Sequence, residues 1–307
     1  MPALFTIEAD APPHWPSWWS EHGSLTVIDV AIDESMSAGS PLLVISAIVG
    51  KTALMRKLTV EWKRELATSG VDYFHATEHW NGRSKPYHGI GHDEREELLA
   101  RLIRHLHSRF LFGVSAIVDE AEYKTATSER LRSQYGSPYG FGFQLVMALV
   151  LLELVRLKRQ NQPVNILIED GHVNAGQAIE FIKHKKKLNS PKGLKIGTYG
   201  LGGKIDNPVL QAADLLAFGT CEYTTKGHSE FAARIVPEIY ANRFRVLPWD
   251  VSSVRNLKAD IIRHGDLVKT KAPVRRLRRE HRCTRGDVQL QETFGRAVLS
   301  VDLGRRA

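Results

Sequence analysis

The amino-acid sequence predicts a mixed α/β fold, in which antiparallel strands at the start are followed by parallel ones. Two features of the pattern indicate this fold. Early apolar runs lie close together and are separated only by turn residues, which is typical of paired antiparallel strands. Later apolar runs alternate with segments of helical periodicity, which is typical of parallel β-α units. Hydrophobic residues make up 43% of the 307 residues, so the chain is able to bury a core.

The first half of the chain carries the antiparallel signal. L-T-V-I-D-V-A-I-D, residues 25–33, predicts a first strand, and P-L-L-V-I-S-A-I-V-G, residues 41–50, predicts a second. The turn-rich E-S-M-S-A-G-S between them is short enough to favour a hairpin. Helical spacing of leucine and isoleucine predicts helices at about 52–67 and 93–109, and F-L-F-G-V-S-A-I-V, residues 110–118, predicts a third strand.

The second half alternates between helix and strand. Residues 140–159 predict a long apolar helix. We assign it to the core because it is too short, and its flanks are too polar, for a membrane span. The elements predicted after it are a strand at 164–170, a helix at 174–188, a strand at 194–200 and a helix at 209–222, with Pro208 suited to its first turn. This order, β-β-β-α-β-α-β-α, matches the ribonuclease H-like fold if residues 51–109 form a helical insertion between the second and third strands.

We divide the chain into an irregular lead-in (1–22), the ribonuclease H-like domain (23–227) and a C-terminal extension with a basic tail (228–307). The formal net charge is +8, and residues 255–307 alone hold 14 Lys+Arg against 6 Asp+Glu. The densest stretch, 269–285, could bind the phosphates of a nucleic acid with release of counterions. A solvated extension explains the same charge run equally well.

Several other classes of site and location are disfavoured. The amino terminus has neither the basic start nor the apolar core of a signal peptide. Two cysteines, Cys221 and Cys283, indicate neither a disulfide framework nor a zinc site, so we expect a reducing, cytoplasmic setting. Neither a Walker-type loop nor G-x-G-x-x-G occurs, so the sequence does not predict nucleotide binding by those loops.

Carboxylates interrupt three apolar elements. Asp33 ends the first predicted strand, Glu169 and Asp170 end V-N-I-L-I-E-D, and Asp214 lies inside the apolar helix N-P-V-L-Q-A-A-D-L-L-A-F-G. The carboxyl ends of neighbouring parallel strands open onto one edge of a sheet, so these acids are expected to converge. Hard oxygen ligands without cysteine predict Mg²⁺ or Mn²⁺, and two such ions about 4 Å apart can catalyse phosphodiester hydrolysis.

Each acid also has a structural explanation. Asp33 could cap a turn together with Ser35, Asp170 beside Gly171 is ordinary at a strand end, and Asp214 could pair with a lysine from the tail.

Two further acids are not preferred as ligands. Asp29 lies about 13 Å along the strand from Asp33, so we assign it a structural role. Glu34 points to the opposite face of the strand from Asp33.

The motifs A-I-D-E-S, F-H-A-T-E and L-Q-A-A-D-L-L-A, with an acid ending the central strand, resemble a bacterial family called domain of unknown function 3800. The resemblance covers residues 25–218, and L-Q-A-A-D-L-L-A is its most specific part. Met36 stands where the family often has glycine. The family is grouped with ribonuclease H-like folds, so the resemblance implies a nuclease.

Carried over to this sequence, the resemblance implies metal ligands at Asp33, at Glu169 or its neighbour Asp170, and at Asp214. His75 and Glu78 in F-H-A-T-E match a further family motif and are candidates for a catalytic role, with a turn or helix cap as the alternative. The expected function is a Mg²⁺- or Mn²⁺-dependent nuclease whose basic tail retains nucleic acid. The alternative is a non-catalytic module that binds nucleic acid or protein through the tail.

Overall fold

A six-stranded mixed sheet lies at the centre of the part of the chain that the computed structural model describes, namely residues 27–36, 39–82, 85–188, 194–226 and 244–249. The strands are β1 (Ile28–Met36), β2 (Leu42–Lys51), β3 (Phe112–Asp119), β4 (Val164–Glu169), β5 (Ile196–Gly202) and β6 (Phe244–Trp249). Their order across the sheet is β5-β4-β1-β2-β3-β6.

The strand pairing is antiparallel in the first half of the chain and parallel in the second. β1 pairs antiparallel with β2, and β2 pairs antiparallel with β3, whereas β1–β4, β4–β5 and β3–β6 are parallel. The predicted mixed α/β class and the predicted hairpin are therefore confirmed. The parallel ladder between β1 and β4 ends at the pair Ile32↔Ile168, and this end of the ladder positions the site described below.

Eight helices occur among the described residues. They are α1 (Thr52–Thr68), α2 (Ala76–Asn81), α3 (His92–Arg109), α4 (Glu120–Ala126), α5 (Glu129–Tyr135), α6 (Pro138–Arg156), α7 (Ala175–Leu188) and α8 (Pro208–Lys226). The first three lie between β2 and β3, in the segment where the sequence predicted helices.

The helices cover the sheet on two faces. One core cluster joins the sheet to α1, α3 and α8, and a second joins it to α6 and α7. β1 contributes to both, because Ala31 packs in the first cluster whereas Val30 and Ile32 pack in the second. Strands covered on both faces need apolar residues at almost every position, which explains the continuous apolar runs in the sequence.

Helix α6 combines great length with an apolar surface on nearly every side. The Ser137 hydroxyl accepts the Gly140 N–H at 3.2 Å and caps its start, and Pro138 occupies the first turn. By length and composition α6 is the one helix among the described residues that could cross a membrane, yet 61% of its most apolar stretch is buried inside the fold. Its side chains pack against the sheet, as predicted for a core helix.

Some elements differ from the sequence prediction. Asp33 does not end β1, which continues through Met36 because its ladder with β2 extends to the pair Met36↔Leu43. Strand pairing here overrides the turn preference of D-E-S. The short helices α2, α4 and α5 were not predicted, nor was β6, which pairs with β3 from within the range assigned to the C-terminal extension. The lead-in and the basic tail lie outside the described residues.

Candidate metal centre

Three carboxylates meet at the edge of the sheet where β1 and β4 separate. Asp33, Glu34 and Glu169 each offer one oxygen, and these three oxygens lie within 4.8 Å of one another. Asp33 is fully buried, and the other two are partly buried. Among the described residues this is the one group of three or more potential metal ligands, and we call it the acidic cluster.

The end of the β1–β4 ladder brings the cluster together. Asp33 and Glu169 directly follow the last pair, Ile32↔Ile168, so they stand side by side on adjacent parallel strands. Glu34 follows Asp33 and points to the other face of β1. No β4 residue pairs with β1 beyond Ile32, so the long side chain of Glu34 reaches the same space around the edge. Sequence reasoning set Glu34 aside because of its face, and the structure corrects this.

A buried lysine links the cluster to Asp214. The Lys204 Nζ lies 3.0 Å from Asp33 Oδ2 and 3.2 Å from Asp214 Oδ1. The remaining Asp214 oxygen, Oδ2, accepts the backbone N–H of Ala76 at 2.7 Å, and Asp33 Oδ1 accepts the backbone N–H of Glu34 at 2.8 Å. Asp214 therefore joins the cluster through Lys204 and is not itself a member.

Asp214 is thus paired with a lysine, which is the structural role that the sequence offered as an alternative to metal binding. A lysine pairs with the buried carboxylate, as a charge inside an apolar helix requires. The lysine comes from the turn between β5 and α8 and not from the tail, where the sequence suggested it. Nothing in the sequence pattern around Lys204 signals the contact, because it depends on how β5 and α8 pack against β1.

Burial and mutual repulsion set the proton affinities of the cluster. Burial, with the charge of Asp214 next in size, raises the pKa of Asp33 well above its usual value, and Lys204 opposes this only in part. Burial and the charge of Glu169 raise the pKa of Glu34 to about 7. Burial alone would lower the pKa of Lys204, but the charges of Asp214 and Asp33 outweigh it and raise that pKa.

The structure places Glu169, and not Asp170, in the cluster. The Glu169 Oε2 accepts the Gly171 N–H at 2.6 Å, so its carboxylate folds back over the strand end. A Cβ at Gly171 would lie 2.7 Å from Glu169 Oε1, so a larger residue there would displace this carboxylate from its present position. Asp170 is exposed, and its backbone N–H donates to the Gly202 carbonyl at 3.2 Å.

His75 and Glu78 lie beside the site but not in the acidic cluster. His75 precedes α2, and its Nδ1 lies 3.7 Å from Glu78 Oε1. The Tyr73 hydroxyl donates to Glu78 Oε2 at 2.9 Å. The F-H-A-T-E segment reaches the site through its backbone, since the Ala76 N–H is the group that binds Asp214.

Gln211 was not predicted to matter, yet it anchors three segments around the site. Its Oε1 accepts the Trp62 indole N–H and the Phe74 backbone N–H, both at 2.9 Å. Its Nε2 donates to the Lys204 carbonyl at 2.7 Å. Gln211 and Asp214 are three residues apart on α8, so they face the same side of the helix. The spacing Q-x-x-D on an otherwise apolar helix was the available signal.

Tyr139 and His172 approach the cluster from the side of α6. Their rings stack 4.1 Å apart at 10°, and His172 Nδ1 accepts the Asn174 backbone N–H at 3.0 Å. Tyr139 is 1% exposed, and its hydroxyl has no hydrogen-bond partner among the described residues. Burial raises its pKa, and so do the charges of the cluster acids. Its hydroxyl is therefore held near the cluster without a contact.

Asp29 has the structural role expected of it. It is fully buried at the other end of β1, where its Oδ1 accepts the Thr52 hydroxyl at 2.8 Å and the Asn165 amide at 3.1 Å. Burial raises the pKa of Asp29 to about 7, and these two hydrogen bonds lower it in part.

The chain matches no protein-family model and no curated protein.

Proposed function

We propose that this protein is a nuclease that hydrolyses phosphodiester bonds of DNA or RNA with Mg²⁺ or Mn²⁺ held at the acidic cluster. The observation that carries the proposal is the convergence of Asp33, Glu34 and Glu169 at the carboxyl edge of two adjacent parallel strands. Ligands commonly bind at this edge in α/β sheets.

The strand order supports a ribonuclease H-like arrangement. Three consecutive antiparallel strands lie beside two strands that run parallel to the first, in the order β5-β4-β1-β2-β3. The acids of the proposed site lie on β1, at the end of β4 and on the helix after β5, which are the three elements that the sequence motifs indicated.

The donor set fits a hard divalent ion. All three cluster ligands are carboxylate oxygens, which Mg²⁺ and Mn²⁺ prefer, and no cysteine lies among them. A bound ion supplies an activated water and positive charge for the phosphate. Asp33, Glu34 and Glu169 hold the ion, Lys204 orients Asp33, and Asp214 with the Ala76 N–H fixes Lys204.

Cleavage assays with matched variants test the proposal. The full-length protein is incubated with single- and double-stranded DNA and RNA in Mg²⁺, Mn²⁺ or EDTA. Glu169→Gln should lower the cleavage rate at least 100-fold, because it removes one charged ligand, whereas Asp170→Asn, one residue further along in an exposed position, should leave the rate within about threefold. Metal titrations of the same variants should show weaker Mn²⁺ binding for Glu169→Gln only.

Absence of cleavage of every substrate, together with wild-type Mn²⁺ binding by Asp33→Asn and Glu169→Gln, would refute the nuclease. The alternative of a non-catalytic binding module draws on Lys204, which already neutralises part of the site without a metal. That module predicts salt-sensitive nucleic-acid binding that survives substitution of Asp33, Glu169 and Asp214. The same binding should disappear when residues 269–307 are deleted.

A further inference from the structure

We propose that the Lys204 ammonium occupies the position of a second cation, so that the site binds one divalent ion and not two. The inference rests on the proposed function, because it concerns the same site, and it favours one ion over the two-ion arrangement that carboxylate sites of this kind can hold.

The contacts of Lys204 are those of a bridging cation. Its Nζ lies between one oxygen of Asp33 and one of Asp214, at 3.0 and 3.2 Å. Carboxylates on two different core elements share this one positive charge, in the way that two acids share a metal ion in a two-metal site. The lysine side chain is 17% exposed, so bulk water contributes little to neutralising the pair.

The fold fixes the position of Lys204. Its carbonyl accepts the Gln211 amide at 2.7 Å and the Asn207 backbone N–H at 3.2 Å. Gln211 is itself held by the buried donors of Trp62 and Phe74. The backbone of Lys204 is therefore hydrogen-bonded to the core. This favours an ammonium that stays beside Asp33 and Asp214 as their counter-ion.

A second divalent ion beside Asp214 would meet three obstacles. Lys204 already engages Asp214 Oδ1, and the Ala76 N–H already engages Oδ2. An ion at that place would have to displace the ammonium or stand next to it, where two positive charges repel each other in a buried site. Glu34 and Glu169, in contrast, form no ion pair with a lysine or arginine among the described residues, whereas Asp33 and Asp214 both do.

An independent feature indicates that a ligand belongs on the side of Glu34 and Glu169. The Tyr139 hydroxyl is buried and unpartnered among the described residues, and the cluster acids are the charges that act on it. A buried hydroxyl without a partner is destabilising, so a water ligand of an ion at the cluster would be its natural acceptor. Asp33, Glu34 and Glu169 thus face a site for one ion, with Lys204 behind Asp33.

Counting bound Mn²⁺ by titration and electron paramagnetic resonance tests the inference. The full-length wild type should bind one Mn²⁺ per chain, with the spectrum of an isolated ion. Lys204→Met leaves Asp33 and Asp214 without their shared cation, so it should bind two ions whose spins are coupled, as expected for metals about 4 Å apart. Lys183→Met, which removes an exposed lysine paired with Glu180, should still bind one.

The outcomes separate this inference from the proposed function. Two coupled ions in the wild type, with cleavage intact, would overturn the inference and leave the nuclease standing. A count of one in a folded Lys204→Met would overturn it as well, because the lysine would not be what excludes the second ion. No bound ion in the wild type would overturn both. If Lys204→Met does not fold, the wild-type count and Lys204→Gln, whose neutral amide can hydrogen-bond both carboxylates, decide the question.

Discussion

Gln211 provides a quantitative test of how the site is held, because one side chain satisfies three groups from separate segments. Replacing it with leucine keeps a similar volume but removes the acceptor for Trp62 and Phe74 and the donor to the Lys204 carbonyl. Gln211 is 1% exposed, so water cannot replace these bonds without rearrangement of the core.

The expected cost of this substitution follows from the groups left without partners. The Lys204 carbonyl keeps the Asn207 N–H, so two buried donors lose their only acceptor, the Trp62 indole and the Phe74 amide. At about 1–3 kcal/mol for each unsatisfied group, Gln211→Leu should lose about 2–6 kcal/mol, from which the burial of a more apolar side chain subtracts about 1 kcal/mol. We expect a net loss of about 3 kcal/mol in the free energy of unfolding.

Urea unfolding measures this loss, with Gln144→Leu as the matched control. Gln144 lies on helix α6, is partly buried and donates one hydrogen bond, to the Tyr135 carbonyl at 3.2 Å. Its substitution should cost about 1 kcal/mol or less. Trp62→Phe removes the indole donor together with part of the buried ring, and combining it with Gln211→Leu should recover about 1 kcal/mol relative to additivity, because the cost of the lost ring volume cancels in the cycle. A loss below 1 kcal/mol for Gln211→Leu, or strict additivity in the cycle, would refute the reasoning.

Three further predictions concern buried groups. Burial raises the pKa of Asp29 to about 7, so between about pH 4 and pH 7 the folded state holds a proton that the unfolded state has released. The stabilisation from this proton is complete below about pH 4 and is lost as the pH rises to 7. Asp29→Asn should therefore reduce the fall in unfolding free energy between pH 5 and 7 by about 2 kcal/mol, and equal slopes in urea unfolding would contradict this. The Glu34 carboxyl, also with a pKa of about 7, and the Asp33 carboxyl, whose pKa is also raised, must lose their protons to bind metal, so Mn²⁺ affinity should rise by at least about tenfold per pH unit up to pH 7. Glu34→Gln should make that rise less steep in metal titrations. Tyr139→Phe removes an unpartnered hydroxyl, so thermal unfolding should show a gain of about 1 kcal/mol without metal and a smaller gain with Mn²⁺; equal gains would mean that the hydroxyl finds no acceptor at the loaded site.

Local pattern was sufficient to predict most of the sheet and its longer helices. Apolar runs with turn residues between them gave β1 and β2, and helical spacing gave α1 and α3, because burial on one or two faces leaves a periodic trace in the sequence. The short helices α2, α4 and α5 leave little trace, because a segment of six or seven residues contains too few periods. β6 lies within a mixed pattern, and its pairing with β3 is a long-range contact.

The candidate site could be predicted only where a charged residue interrupts an apolar strand or helix. Asp33 and the pair Glu169/Asp170 were predicted because each places a charge at the end of an apolar run, which few structural roles require; only the structure distinguishes Glu169 from Asp170. Lys204 was missed because a lysine in a turn is ordinary, and only tertiary packing shows that its ammonium is buried between two acids. Glu34 was set aside because neighbouring side chains on a strand point to opposite faces of the sheet. Beyond the end of the β1–β4 ladder no strand separates the two faces, so both side chains can reach the same space.

The electrostatics of the acidic cluster favour a cation. Asp33, Glu34, Glu169 and Asp214 lie close together, and within the described part of the chain Lys204 is the one ammonium paired with them. Full ionisation would therefore leave a net negative charge in a largely buried space. The protein responds by holding protons, because burial and like charges raise the pKa of Glu34 to about 7 and that of Asp33 well above its usual value. A divalent ion at the proposed site would supply the same compensation at a single point and release those protons. Retained protons and a bound divalent ion would therefore compensate the same excess of negative charge in two different ways. The Lys204 ammonium compensates part of that charge in both cases, because the fold holds it in place.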